Sequence, residues 1–305
     1  MEVRASFDGA SLSKDDESPV TVADFGSQAI ICRIIREAFP EDRIVAEENS
    51  SALRTRPRTL EEVRRLVENQ VGDASAEDVC AWIDAGDASG GRGRFWTVDP
   101  IDGTKGFLRG DQYAVAIALV IDGEPVVGAL ACPALQLGGR EGVVLVAVRG
   151  RGAYVLPVAG NHGESPEEAR ISVRGTSSPE RAVFSESLES GHSAHGVSAR
   201  AASILGIKSE PLRLDSQAKY GIVAAGEADV YMRIPRGDYH EKIWDHAAGA
   251  LITTEAGGVV TDLDGRTLDF SLGRTLSQNR GILATNGHLH QSVLDAVQAA
   301  AEAVS

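Results

Sequence analysis

Apolar positions change their period partway along this chain. Behind Thr21, residues Ile30, Ile31, Ile34, Ile35 and Ala38 recur at helical spacing and stop before Pro40. That pattern predicts a helix capped by Thr21, with Asp24 in its first turn. A short strand over 43–45 follows, then an amphipathic helix over 59–72 with Thr59-x-x-Glu62 as its cap, Val63, Leu66 and Val67 inward, and Gly72 as its stop. Another short helix is expected over 76–85, around Val79 and Trp82. From 94 to 156 the period becomes two: Val115, Ile117, Leu119 and Ile121 alternate, Asp122-Gly123 signals a hairpin turn, and 126–131 returns. A second hairpin joins 143–148 to 153–156, so an antiparallel meander is predicted.

Residues 157–168 have linker composition, which places a boundary between an N-terminal α+β half (1–157) and a C-terminal α/β half (168–305). Beyond it strands (170–174, 182–187, 211–214, 228–234, 258–261) alternate with helices (198–205, 217–225, 246–256, 289–304), and the chain reads as α/β. The first 18 residues are polar and expected to be loosely held.

Composition narrows the partners. A formal charge of −14 over 305 residues opposes binding to nucleic-acid polymers or anionic membranes. Cys32, Cys80 and Cys132 are far apart and odd in number, which indicates neither a disulfide framework nor a zinc site. They read as reduced interior thiols of a cytoplasmic chain. No apolar run approaches the length of a membrane span, and the N-terminus lacks a signal-peptide core. Phosphate binding by a Walker-type loop is excluded, because no Gly-x-x-x-x-Gly-Lys-[Ser/Thr] occurs.

The candidate chemistry centres on 96–106, Trp-Thr-Val-Asp-Pro-Ile-Asp-Gly-Thr-Lys-Gly. Asp99, the carbonyl of Ile101, Asp102 and the hydroxyl of Thr104 crowd the end of a strand, an oxygen-rich set of the kind Mg²⁺ prefers. The bland alternative is a Pro/Gly turn whose aspartates cap backbone groups. Elsewhere the same ambiguity recurs. Asp24 fits a helix cap, Glu47-Glu48 a solvated surface, and Asp245 an N-cap. Asp215 to Lys219 opens a predicted helix that sets Ser216 and Lys219 on one face, where a cap and a surface lysine are the ordinary reading. Along 228–234, Ala228, Val230, Met232 and Ile234 face one way and Asp229, Tyr231 and Arg233 the other.

Taken together, Ser-Pro-Val-Thr-x-Ala-Asp24, Glu47-Glu48, Asp99-Pro-Ile-Asp-Gly-Thr104 and Trp244-Asp-His-Ala-Ala-Gly249 closely resemble the inositol monophosphatase superfamily. Lys105-Gly-Phe-Leu-Arg109, Leu214-Asp-Ser-Gln-Ala-Lys-Tyr220 and Glu241-Lys-Ile-Trp-Asp-His246 resemble its 3′(2′),5′-bisphosphate nucleotidase branch. The likeness implies a layered αβαβα sandwich. It implies Glu47, Asp99, Asp102, Asp245 and the Ile101 carbonyl as holders of two or three Mg²⁺ ions, Asp24 and Thr104 as the pair that activates water, and inhibition by Li⁺. It implies His192, Ser216, Lys219 and Arg233 as contacts to a bisphosphate nucleotide. Inositol monophosphatases carry an acid at the position of Arg233, so the arginine points to a second anion on the substrate.

The expected reaction is hydrolysis of adenosine 3′,5′-bisphosphate to AMP and phosphate, with its sulfated derivative as a further candidate. Inositol polyphosphate 1-phosphatase or inositol monophosphatase activity, or a non-catalytic nucleotide-binding regulator, are the alternatives. The protein is expected as a monomer or homodimer. Against the family pattern, a helix before Ser18 is expected to be lacking and the region between Glu48 and Phe95 reads as compact. A serine hydrolase built on Gly191-His-Ser193-Ala-His195 fails, because the nucleophile elbow needs Gly where His195 stands.

Overall fold

The computed structural model describes residues 11–13, 19–158, 168–188, 195–235, 237 and 239–303. A hairpin of β1 (Ser11–Ser13) and β2 (Pro19–Thr21) leads into α1 (Val22–Ala38). The first sheet has seven strands in chain order: β3 (Arg43–Ala46), β4 (Arg94–Asp102), β5 (Ala114–Ile121), β6 (Glu124–Leu137), β7 (Arg140–Val148), β8 (Gly152–Pro157) and β9 (Ala169–Ile171). Only β3 and β4 pair in parallel; the rest is the antiparallel meander read from the period-two pattern. Asp122-Gly123 makes the expected turn, with φ of +50° and +85°.

A second, five-stranded sheet has the order β11 (Leu212–Leu214), β10 (Phe184–Ser187), β12 (Val230–Arg233), β14 (Ile282–Thr285), β13 (Val259–Thr261). Between β3 and β4 lie α2 (Pro57–Val71) and α3 (Ala76–Asp84), and α4 (Thr104–Arg109) follows β4. In the second half α5 (His195–Ile204), α6 (Ala218–Ala224), α7 (Ala247–Glu255) and α8 (His290–Glu302) alternate with the strands.

Five layers result. Phe25, Ala29, Val63, Val67, Val79 and Ile83 pack α1, α2 and α3 together, and Cys32 and Ile35 seat α1 on Ile44 and Val98 of the first sheet. The opposite face of that sheet, where β5 presents Ala114, Ala116 and Ala118, shares the largest core with α6 and α7. Small side chains are required there: a methyl group on Gly128 of β6 would lie 3.1 Å from the Ala248 carbonyl of α7. The far side of α6 and α7 meets Tyr231, Ile282 and Ala284 of the second sheet. Val230, Met232 and Leu283 point outward to Val293 and Val297 of α8. Both sheets are thus covered on both faces, and the sandwich is αβαβα.

Four local expectations are corrected. The 59–72 helix starts earlier, because Pro57 occupies its first turn with Arg56 as the cap, and Thr59 is interior. Ser216 is not on a helix face: it takes a left-handed φ of +66° in the turn before α6. Asp245 ends a 3₁₀ turn (Ile243–Asp245), and His246 is the cap residue of α7. Ala228 joins Tyr231 in the inner core, because the alternation begins only at Val230.

Candidate active site between the first sheet and the inner helices

Asp24 closes the helix cap with one carboxylate oxygen and faces Thr104 with the other. Its Oδ2 accepts from the Thr21 backbone N–H at 2.8 Å and from the Thr21 hydroxyl at 2.6 Å, closing a capping box. Its Oδ1 faces the Thr104 hydroxyl at 3.3 Å, and that hydroxyl also lies 3.2 Å from the Ile101 carbonyl. Thr104 reaches this point because Gly103 takes a left-handed φ of +82° and turns the chain from β4 into α4. A side chain at Gly103 would press on Ser216 and Asp215, so the turn packs directly against the segment before α6.

Asp99 and Asp102 flank a register shift at the end of β4. Asp99, 2% exposed, lies beside the carboxyl of Glu47. Glu47 is set by its neighbours: its N–H donates to Val98 O at 3.2 Å, and the Gln28 amide clasps both backbone groups of Glu48 at 2.7 and 2.9 Å. Ser27 further pins α1 to the Pro100 carbonyl at 3.0 Å. Asp102 accepts from the Gln217 N–H at 2.5 Å, and the Gln217 side chain donates to Trp244 O at 2.9 Å, next to Asp245.

The electrostatics report convergence. Burial, then repulsion from Glu47, Asp102 and Asp245, pushes the Asp99 carboxyl well above the usual carboxylate range. Asp245 is also pushed well up, by burial first, with Arg233 opposing and Asp102 and Glu47 adding. Burial raises Asp102 too, against the pull of Lys219 and the Gln217 N–H. Four carboxylates from distant parts of the sequence therefore converge on one site, with Asp99 buried and Glu47, Asp102 and Asp245 half-buried around it. Within it, Oδ1 of Asp99 has no hydrogen-bond donor among the described residues. Lys219, Arg233 and the Gln217 N–H offset the cluster only in part, and oxygen donors with an orphaned buried oxygen fit hard divalent cations.

Lys219, only 3% exposed, is no surface lysine. Its ammonium donates to Leu214 O at 3.1 Å and Ser216 O at 2.7 Å and lies 5.3 Å from the Tyr231 ring centroid. Burial brings its pKa down to about 8. Arg233 is nearly buried; its Nε pairs with Glu241 Oε2 at 2.7 Å and a terminal nitrogen lies 3.8 Å from Asp245. Behind it Glu241 meets His246 at 3.1 Å, and His246 meets the Tyr220 hydroxyl at 2.9 Å. Burial holds that imidazole below its ordinary pKa and thus neutral. Glu241, Asp245 and His246 place ligand atoms within 4.8 Å of one another, but the Arg233 guanidinium already fills the cationic position beside Glu241.

His192 lies outside the described residues. The other expected site residues are brought together. Sequence reasoning missed the supporting groups Gln28, Gln217 and the Arg109–Asp215 ion pair. Gln28 carried a signal, because it stands four residues after Asp24 on α1; Gln217 carried none beyond its place beside Ser216.

Residues 2–302 match the sequence profile of the Inositol monophosphatase family. The chain belongs to that family. It is 45% identical to a 3′(2′),5′-bisphosphate nucleotidase of Emericella nidulans, over 94% of this chain and 90% of the relative. It is 42% identical to one of Schizosaccharomyces pombe, over 94% and 86%. Among solved structures, an IMPase of Thermotoga maritima shares the fold with a TM-score of 0.65 at 24% identity, over 97% of this chain and 90% of the other.

Proposed function

We propose that this chain is a Mg²⁺-dependent 3′(2′),5′-bisphosphate nucleotidase that hydrolyses the 3′-phosphate of adenosine 3′,5′-bisphosphate to AMP and phosphate. The observation that carries the reading is the buried carboxylate cluster, with the orphaned Asp99 oxygen, set beside the Asp24–Thr104 pair. The named relatives at 45% and 42% identity support the nucleotide as substrate.

Glu47, Asp99, Asp102, Asp245 and the Ile101 carbonyl would hold two or three Mg²⁺ ions. Bound there, the ions supply Lewis acidity and charge neutralisation for a phosphate ester. Asp24 is the proton acceptor: as Thr104 takes a proton from the attacking water, its own hydroxyl proton passes to Asp24 Oδ1, 3.3 Å away. In-line displacement asks the remaining residues for positioning and charge. Lys219 uses two of its three donors on carbonyls and keeps one for the second phosphate. Arg233, Ser216 and His192 complete the nucleotide contacts, with Glu241 fixing the guanidinium. In this reading 1–157 supplies the metal-binding half apart from Asp245, and 168–305 supplies Asp245 and the substrate-recognition half, of a cytoplasmic monomer or homodimer, and Li⁺ inhibits by taking one Mg²⁺ position.

Phosphate release tests this directly. With Mg²⁺, adenosine 3′,5′-bisphosphate should be turned over well ahead of inositol 1-phosphate, and added Li⁺ should suppress it. Preference for the inositol ester would move the protein to the inositol phosphatase branch, and binding without turnover would make it a regulator.

A further inference from the structure

Glu47 and Asp245 both belong to the carboxylate cluster, yet they are delivered by elements nearly two hundred residues apart, and Glu47 opposes a charge on Asp245. Something must hold their backbones in register. Arg274 reaches both. One terminal nitrogen donates to the Ala46 carbonyl, immediately before Glu47, and the other to Ala88 O at 3.0 Å and Gly86 O at 3.4 Å. Those carbonyls belong together, because 86–88 lies along β3: Ala46 N–H donates to Gly86 O at 2.8 Å and Ala88 N–H to Ile44 O at 3.1 Å. The same guanidinium lies 4.8 Å from the centroid of Trp244, immediately before Asp245.

The backbone around Arg274 repeats the tie. Its carbonyl accepts from Ile243 N–H at 3.2 Å, Thr275 bridges Lys242, and Leu276 N–H donates to Glu241 O at 2.8 Å. Its hydrogen bonds therefore go to carbonyls of the first half, while its ring contact and its own backbone go to the turn that ends at Asp245. Only a planar fork can bridge several carbonyls and stack on an indole at once.

We infer that Arg274 is a positioning residue for the metal cage, setting the separation of Glu47 and Asp245 through Ala46 and Trp244. The inference rests on reading those two carboxylates as metal ligands. Arg274 binds nothing in the site itself; it acts on the frame. Its loss should therefore loosen metal binding by the amount typical of an outer support, about 10- to 100-fold.

Mn²⁺ binding to the metal-stripped protein, measured by calorimetry, is the test, alongside the Mg²⁺ concentration for half-maximal phosphate release and the melting temperature in EDTA. Arg274→Ala and Arg274→Lys are both expected to weaken Mn²⁺ about 10- to 100-fold and to raise the Mg²⁺ requirement, because lysine keeps the charge but loses the fork. Val293→Ala, a cavity in the outer core under α8, is the control: it should lower the melting temperature with Mn²⁺ affinity within about twofold of the parent. Unchanged Mn²⁺ affinity in Arg274→Lys, or equal weakening in Val293→Ala, would overturn the inference and leave Arg274 an ordinary fold contact. If the parent protein binds no Mn²⁺, the metal reading itself fails and takes this inference with it.

Discussion

Asp99 is the residue on which fold and chemistry make opposite demands. Its carboxylate is buried among Glu47, Asp102 and Asp245, and one oxygen has no donor among the described residues. Replacing it by Asn keeps the shape and removes a carboxyl that the cation-free site must either hold charged among like charges or protonate. Hydrolysis should fall more than the roughly 100-fold expected for an outer-shell partner. In EDTA the same variant should melt higher, by roughly 1.5–2 °C for each kcal/mol of repulsion relieved. Calorimetric melting beside the phosphate assay checks both, and a lower apo melting temperature would contradict the repulsion. Lys219 offers a second test. Burial puts its pKa at about 8, so the ammonium is charged below that pH and loses its proton as pH rises through it. The KM for adenosine 3′,5′-bisphosphate should be flat below pH 7 and climb above about 8. For 3′-AMP, which lacks the second phosphate, it should not. Equal profiles for the two substrates would remove Lys219 from recognition of that phosphate.

Among the elements, the turn from β4 into α4 does most to shape the site, and it has no slack. Arg109 at the end of α4 pairs with Asp215, and a methyl group on Gly106 would sit 2.2 Å from the Gln112 carbonyl and 2.8 Å from the Asp215 carboxylate. Both neighbours are held in place, so Gly106→Ala must move α4. A loss of about 1–3 kcal/mol is expected from overpacking, read by denaturant unfolding, with a disproportionate fall in kcat because Thr104 moves with its helix. Elements of this half were legible where the pattern was local: the meander from its alternation, and Asp122-Gly123 from its turn chemistry. Strand β14 was not. Ile282–Thr285 is four residues long and buried throughout, so it shows no period for a sequence reading to find. Ser216 was misplaced for a related reason: a left-handed residue before α6 leaves no mark when it is not glycine. The convergence of the four carboxylates was legible only as a set, because each alone is an ordinary cap or surface acid. Gln217 and Arg274 were invisible, since they act through backbone carbonyls and N–H groups that any sequence supplies.

At the scale of the molecule, the carboxylate cage is a seam. Glu47, Asp99 and Asp102 come from the first sheet and its edges, whereas Asp245 comes from the turn that enters the inner helix α7. In the absence of cations the clustered acids must hold like charges together or take up protons, and the ties that oppose this cost include Gln217, which joins Asp102 to Trp244, and Arg274. Cations bound there would replace repulsion by bonds linking the outer sheet to the inner layer. Binding to the folded state alone stabilises it by RT ln(1 + [L]/Kd), about 2.7 kcal/mol at a hundredfold excess over Kd. Mg²⁺ should therefore raise the melting temperature of the EDTA-treated protein by several degrees. NaCl at matched ionic strength should raise it far less, because screening alone cannot bridge the seam. Asp99→Asn should lose most of the Mg²⁺ response despite its more stable apo form. Calorimetric scans of the parent and Asp99→Asn proteins, each with Mg²⁺ and with NaCl, separate the two contributions. Equal shifts from the two salts would mean that the four acids close on nothing but each other.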